Sequence, residues 1–270
     1  MGKYSRNERI SMITKKLVEN PGRMLSLSDF ADALDASKSS ISEDLLILRE
    51  LMETSGEGVV ETVPGAAGGV KYSVRTPGKI KEAFLEDLCF RLSDKTRIVP
   101  GNFLYVTDIM QNPEIIAKAG AILAEAFKDK KPDYIITVET KGIPLAYEVA
   151  RCMGVELIVA RRNMKITEGT SVMINYVSGN QGILSVMSLS KRSIKPGSKL
   201  IFIDDFLRGG GTVKGIMDLI HEFSSDLVGI GVMVDSKETE KALQVPMINF
   251  LDYFGIDNEG KILIKISNLI

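Results

Sequence analysis

Leu200 to Thr212 read LIFIDDFLRGGGT, and this stretch decides the fold. Apolar residues end in two adjacent acids, three consecutive glycines follow, and an amphipathic helix comes next. The pattern predicts a buried strand that delivers Asp204 and Asp205 to a phosphate cradle. Gly209, Gly210 and Gly211 allow backbone N–H groups to approach phosphate oxygens, and the helix that begins near Thr212 adds the favourable end of its dipole. Carboxylates cannot hold phosphate, but they accept hydrogen bonds from ribose hydroxyls. Together the two halves of the stretch point to a sugar phosphate.

Outward from this stretch, strands alternate with helices. Strands are expected at Tyr134 to Val138, Val155 to Ala160, Leu200 to Ile203 and Leu227 to Val234. Helices are expected from about Ile143 to Met153 and Thr212 to Phe223, and from Asn112-Pro113 onward. Such alternation implies a mostly parallel sheet covered by helices. Ser171 to Val177 and Gly182 to Ser188 read as an inserted antiparallel hairpin, Phe103 to Val106 as a short strand, and Ile80 to Phe90 as a helix. Ligands of parallel sheets bind at the carboxyl ends of strands. Two more strand-end loops carry suitable chemistry there. Thr140, Lys141 and Gly142 supply a hydroxyl, a cation and a glycine. The polar segment Arg161 to Thr170 carries Arg161, Arg162 and Lys165.

The first seventy-odd residues follow another pattern. Ile10, Ile13 and Leu17 recur at helical spacing, and Pro21-Gly22 ends that helix. Ser28 is expected to cap a short helix with Phe30, Ala33 and Leu34 inward. Ser37 starts a third helix with Ile41, Leu45, Leu48 and Met52 on its buried face. Val59 to Val63 and Val70 to Val74 read as strands joined through Pro64, Gly65, Gly68 and Gly69. Three helices and a hairpin make a winged helix, a DNA-binding arrangement. Ser37, Lys38, Ser39, Ser40 and Ser42 lie near the start of its third helix, where short hydroxylated side chains suit the major groove. Lys3 and Arg6 accompany the first helix with Arg9, Lys15, Lys16 and Arg23, and Lys71 stands beside the wing. Glu43 and Asp44 on the third helix argue in the opposite direction.

Bulk properties narrow the remaining choices. The chain has 270 residues, is 44% hydrophobic and 26% charged, and carries a net charge of -1, so any affinity for double-stranded DNA must be local. No apolar run has the length of a membrane helix and the N-terminus lacks a signal peptide's core, so a cytoplasmic protein with no membrane partner is expected. Cys89 and Cys152 have no metal-ligand spacing, and His221 is the only histidine. Neither a metal site nor a histidine-based catalytic residue is therefore assigned.

The loops Thr140–Gly142, Arg161–Thr170 and Arg208–Thr212, with Asp204 and Asp205, resemble those of the type I phosphoribosyltransferases, which bind phosphoribosyl pyrophosphate (PRPP). The resemblance implies that the acids hold ribose hydroxyls and that Arg208 to Thr212 hold the 5′-phosphate. It further implies that Thr140 to Gly142 hold pyrophosphate, that a mobile loop at Arg161 to Thr170 covers the site, and that magnesium enters through ligand oxygens. GNFLYVTDIMQNP, from Gly101 to Pro113, is similar to a stretch of the xanthine phosphoribosyltransferases and on that analogy brings Tyr105 and Asp108 near the pocket.

The head and body together resemble the purine operon repressors of Gram-positive bacteria, through SKSSISEDL at Ser37 to Leu45 and IDDFLRGGGT at Ile203 to Thr212. The fold class is then α/β, with a winged-helix domain over 1–74 and a type I phosphoribosyltransferase-like effector-binding domain over 75–270. The resemblance implies a homodimer that represses purine biosynthesis genes from an operator and senses PRPP without consuming it. No resident cofactor is required. Guanine nucleotides such as guanosine tetraphosphate are expected to compete for the pocket. Two alternatives stand beside this reading: a xanthine- or adenine-type transferase with an accessory domain, and a PRPP-binding scaffold whose head contacts protein.

Overall fold

A computed structural model describes residues 4–65, 68–101, 103–162, 169–178, 183–237 and 243–268. The chain divides into two compact units: residues 1–78 with 151–154, and residues 79–150 with 155–270.

In the first unit, α1 (Arg6–Glu19) starts at Ser5, whose hydroxyl accepts the Glu8 N–H while the Glu8 carboxylate accepts the Ser5 N–H. Strand β1 (Met24–Leu25), helices α2 (Leu27–Ala33) and α3 (Lys38–Ser55), and strands β2 (Gly58–Val63) and β3 (Gly69–Val74) follow. Gly56 closes α3 in the left-handed region, at φ 71°. Ile13 and Leu17 of α1, Phe30 and Leu34, Ile41, Leu45 and Leu48 of α3, and Val60, Val70 and Tyr72 form one buried core. This is the expected winged helix with three corrections. Ser26, not Ser28, caps α2, because the Ser26 hydroxyl accepts the Ser28 N–H. Starting the helix one residue after Ser26 turns Ala31 inward and leaves Ala33 exposed. The wing also gains β1, which pairs antiparallel with β3 and gives the order β1-β3-β2.

The second unit begins with α4 (Gly78–Leu92) and a small hairpin of β4 (Ile98–Val99) and β5 (Phe103–Leu104). The strand expected to reach Val106 stops at Leu104, because Val106 already begins the short helix α5 (Thr107–Met110). Helix α6 (Pro113–Ala126) is capped by Asn112, whose side chain accepts the Glu114 and Ile115 N–H groups. Then come β6 (Tyr134–Val138), α7 (Ile143–Met153), β7 (Glu156–Ala160), the hairpin β8 (Ser171–Ser178) and β9 (Ile183–Ser190), β10 (Lys199–Leu207), α8 (Gly211–His221), β11 (Asp226–Ser236), β12 (Met247–Ile256) and β13 (Ile262–Ile266).

The central sheet has the order β13-β12-β11-β10-β6-β7, parallel except for β13. Every residue of β6 is buried, as a strand covered on both faces requires. The chain moves outward from β6 to β7 in one direction and from β10 through β11 to β12 in the other. The winding therefore reverses between β6 and β10, the place where open parallel sheets bind ligands. Pairing between these two strands ends at Phe202, although β10 continues to Leu207 against β11. The end of β10 thus has one free side, and it faces the loop after β6. Among the described residues, no helix is long and apolar enough to cross a membrane.

Candidate functional site

A cavity of about 560 Å³ opens at this reversal. Val138, Glu139, Thr140 and Lys141 come to it from the end of β6, Asp204, Asp205, Phe206, Arg208 and Thr212 from β10 and the start of α8, and Arg162 from beyond β7. Val99, Phe103, Leu104, Tyr105 and Val106 of the small hairpin form the remaining wall. Eight of the candidate residues named from sequence therefore share one space: Tyr105, Thr140, Lys141, Arg162, Asp204, Asp205, Arg208 and Thr212.

The glycine loop accounts for its composition. Gly209 and Gly210 both have left-handed backbones, at φ 71° and 74°, where a side chain would be strained. Gly210 is the residue before α8, and among the described residues no side chain caps this helix, in contrast to Asn112 on α6. The first N–H groups of α8 thus remain available to an anion beside Thr212, where the helix dipole also favours negative charge.

Gly142 does not line the cavity but packs closely against Asp204, which does. A methyl group there would lie 3.0 Å from Asp204 Cα and 2.8 Å from Thr137 Oγ1, and would also meet the Asp204 carboxylate. Thr137 Oγ1 is buried with no hydrogen-bond partner among the described residues. Gly142→Ala is therefore expected to cost about 1–3 kcal/mol as an overpacked site. By displacing Asp204 it should weaken ligand binding by at least about tenfold, read by calorimetric titration.

Burial pushes the Asp204 carboxyl well above the usual carboxylate range, and the adjacent Asp205 charge acts in the same direction. The Asp204 carboxyl thus keeps its proton in a pH window where an unfolded chain, with a carboxyl pKa of about 3.9, has released it. The protein's stability should fall as pH rises from that value through the raised folded one, since the folded state binds more protons in that window. Asp204→Asn is expected to remove this slope and to raise Tm near neutral pH. Calorimetric scans at several pH values from about 4 upward would measure it, and an unchanged slope would contradict the assignment.

Other candidates are placed differently. Arg161 does not line the cavity; it lies 3.7 Å from Glu139 and pairs its backbone with Ser188. Arg162 lines it instead and donates its N–H to the Glu139 carboxylate at 2.8 Å. Asp108, expected near the pocket, is tied to Arg97 by two hydrogen bonds of 2.7 and 2.9 Å. The Arg208 guanidinium stands over the rings of Phe103 (5.2 Å) and Phe206 (5.9 Å). Phe103, Phe206 and Val99 carry no assignment from sequence. Phe206 had a signal, since it sits between the acids and the glycines. Lys165 lies outside the described residues, as does Lys3.

In the winged-helix unit, the Ser37 hydroxyl accepts the Ser40 N–H and lies 2.8 and 2.9 Å from the hydroxyls of Ser39 and Ser40, while Ser42 donates to the Lys38 carbonyl. These serines build the start of α3 and surround the exposed Lys38. Asp44 has a structural use: fully buried, it accepts hydrogen bonds from Arg9 at 2.7 and 3.2 Å and from Arg6 at 3.3 Å. Arg6 keeps a half-exposed side chain and lies 3.9 Å from Glu43. Lys71 is half-buried on β3, opposite Glu61.

Known proteins share both halves. The family described as "Bacterial purine repressor, N-terminal" matches residues 5–74, and the phosphoribosyl transferase domain matches residues 106–259. The adenine phosphoribosyltransferase of Thermoanaerobacter pseudethanolicus shares the fold of the second part, with a TM-score of 0.54 at 18% identity over 61% of this chain and 97% of its own. The probable purine biosynthesis transcriptional regulator PurR of Streptococcus pneumoniae serotype 4 is 39% identical, covering 99% of this chain and 98% of the relative. The purine biosynthesis transcriptional repressor PurR of Bacillus subtilis is 40% identical over 98% of this chain and 93% of its own. With a winged helix joined to a phosphoribosyltransferase fold, and relatives alike across both, the chain belongs to the family of bacterial purine repressors.

Proposed function

We propose that this protein is a cytoplasmic, homodimeric transcriptional repressor that binds operator DNA of purine biosynthesis genes and releases it on binding PRPP. The observation that carries the ligand half is the site at the sheet reversal, where two acids suited to ribose hydroxyls face an uncapped helix N-terminus suited to phosphate. The DNA half rests on the winged helix and on the family. Asp204 and Asp205 take the ribose hydroxyls, the loop from Arg208 to Thr212 takes the 5′-phosphate, and Thr140 to Gly142 take the pyrophosphate. Lys141 and Arg162 supply positive charge.

Magnesium, where it accompanies PRPP, fits this site indirectly. Among the described residues no three His, Cys, Asp or Glu side chains are placed to hold an ion. Oxygens of the pyrophosphate and ribose would then be its ligands, and magnesium would partly neutralise the pyrophosphate. Guanine nucleotides, including guanosine tetraphosphate, bring the same sugar and phosphate and compete for the cavity.

A transferase would break the ribose C1 bond to pyrophosphate, and positioning alone does much of that work. The sensor reading is preferred because relatives named as regulators match along the whole chain, the head included. A titration of fluorescent operator DNA with protein, repeated with PRPP and with guanosine tetraphosphate, tests the proposal, alongside an assay of PRPP turnover with a panel of purine bases. Salt-dependent DNA binding weakened by PRPP, without nucleotide formation, is the expected result. Robust nucleotide formation would overturn the sensor reading. DNA affinity absent at every salt concentration would leave the head as a protein-binding module.

A further inference from the structure

The cavity has two unlike walls. One consists of main-sheet strand ends and the α8 N-terminus, which the core fixes. The other is the β4–β5 hairpin, with only two paired residues in each strand. A two-stranded hairpin this short has little stability of its own, so something outside it must fix where its side chains stand.

Arg97 meets that need. Its backbone carbonyl accepts the Tyr105 N–H at 2.8 Å, and its Nη1 donates to the Tyr105 carbonyl at 3.1 Å. The same guanidinium holds both carboxylate oxygens of Asp108 in a fork, at 2.7 and 2.9 Å, and its Nε donates to the Arg91 carbonyl at 2.6 Å. One largely covered side chain thus joins the end of α4, the hairpin and α5. Neither Arg97 nor Asp108 lines the cavity, whereas Phe103 and Tyr105 do, with half-exposed rings.

We propose that Arg97 and Asp108 are positioning residues that set ligand selectivity, by holding the aromatic wall where a purine ring of a nucleotide can rest. The proposal rests on the ribose-phosphate reading of the opposite wall and adds a division of labour to it. Ribose and phosphate are held by β6, β10 and α8, so a ligand without a base depends on the hairpin only where Phe103 lies under the Arg208 guanidinium, a contact that does not involve Arg97 or Asp108. A ligand with a base must meet an aromatic surface at the right distance, and prepared geometry lowers the ordering cost of binding. A planar, five-donor guanidinium suits this task because its fork fixes direction as well as distance.

The test compares ribose 5-phosphate, PRPP and guanosine 5′-monophosphate by calorimetric titration on the full-length protein and on Arg97→Ala, Arg97→Lys and Asp108→Asn. Wild-type protein should bind guanosine monophosphate more tightly than ribose 5-phosphate. Each variant should weaken guanosine monophosphate about tenfold and leave PRPP within about twofold. Lysine should restore little of the loss, because it keeps the charge and not the fork. Combining Arg97→Ala with Asp108→Asn should cost no more than Arg97→Ala alone, as for two residues acting as a unit.

Asp108→Asn keeps most of the local packing and so answers the question even if the alanine variant folds poorly. Equal changes for all three ligands, or no change for any, would overturn the proposal. So would wild-type protein that gains nothing from the base. Wild-type protein that bound neither PRPP nor ribose 5-phosphate would instead remove the site reading, and this proposal with it.

Discussion

Replacing Asp204 and Asp205 together with alanine is expected to leave operator binding intact and to abolish its response to PRPP. Both acids line the cavity from the free end of β10, beyond the last pairing with β6. Each would accept a hydrogen bond from a ribose hydroxyl, contributing about 0.5–1.5 kcal/mol at a neutral carboxyl such as Asp204 and about 1.5–3 kcal/mol at a charged one. Losing both should weaken PRPP at least about thirtyfold. The fold should survive, because the change removes two adjacent carboxylates whose proximity and burial already disfavour ionisation at Asp204. DNA binding by the double variant with and without PRPP reads the outcome. If PRPP still released DNA from this variant, the sensor would lie elsewhere.

Alanine at Asp44 should have the opposite pattern: DNA binding lost, PRPP binding kept. Asp44 is fully buried on α3 and paired with Arg9, whose own side chain is only 13% exposed. Breaking a buried pair by removing one partner costs about 3–5 kcal/mol, because the remaining charge is left without compensation. That is a large share of the stability of a unit of about eighty residues. The same pair fixes the start of α1 against α3, so the serine-lined helix start would lose its place as well. The C-terminal unit has its own core around β6, β10 and α8 and should still bind PRPP. Thermal unfolding should resolve an early transition in the variant, while calorimetry with PRPP should match wild type. A variant that unfolds in one late transition and binds DNA normally would contradict this role.

How legible the protein was depends on the range of the interaction. The winged helix and the alternating strands could be read because their signals are periodic and local, as with Ile41, Leu45 and Leu48 on α3. The strand, the acids and the glycine loop were equally legible, since the chemistry runs continuously from Leu200 to Thr212. What escaped was set by contacts across the chain. Strand β1 has only two residues and exists because β3 lies beside it. Asp44 argued against a DNA-facing helix until Arg6 and Arg9, 35 or more residues earlier, accounted for it. Asp108 was drawn toward the pocket by analogy, whereas Arg97 holds it outside. Phe103 and Phe206 reach one cavity, and the same Arg208 guanidinium, from separate elements far apart in the chain. Strands β12 and β13 close the sheet in a part of the chain that sequence reasoning left undivided.

A sugar-phosphate site coupled to a DNA-binding head must show linkage, measurable from either ligand. Operator affinity should be titrated at saturating and zero PRPP, and PRPP affinity with and without saturating operator, at one salt concentration. PRPP should weaken operator binding and the operator should weaken PRPP binding by the same factor, since coupling between two binding sites is reciprocal. Operator affinity that stays the same at every PRPP concentration would contradict it.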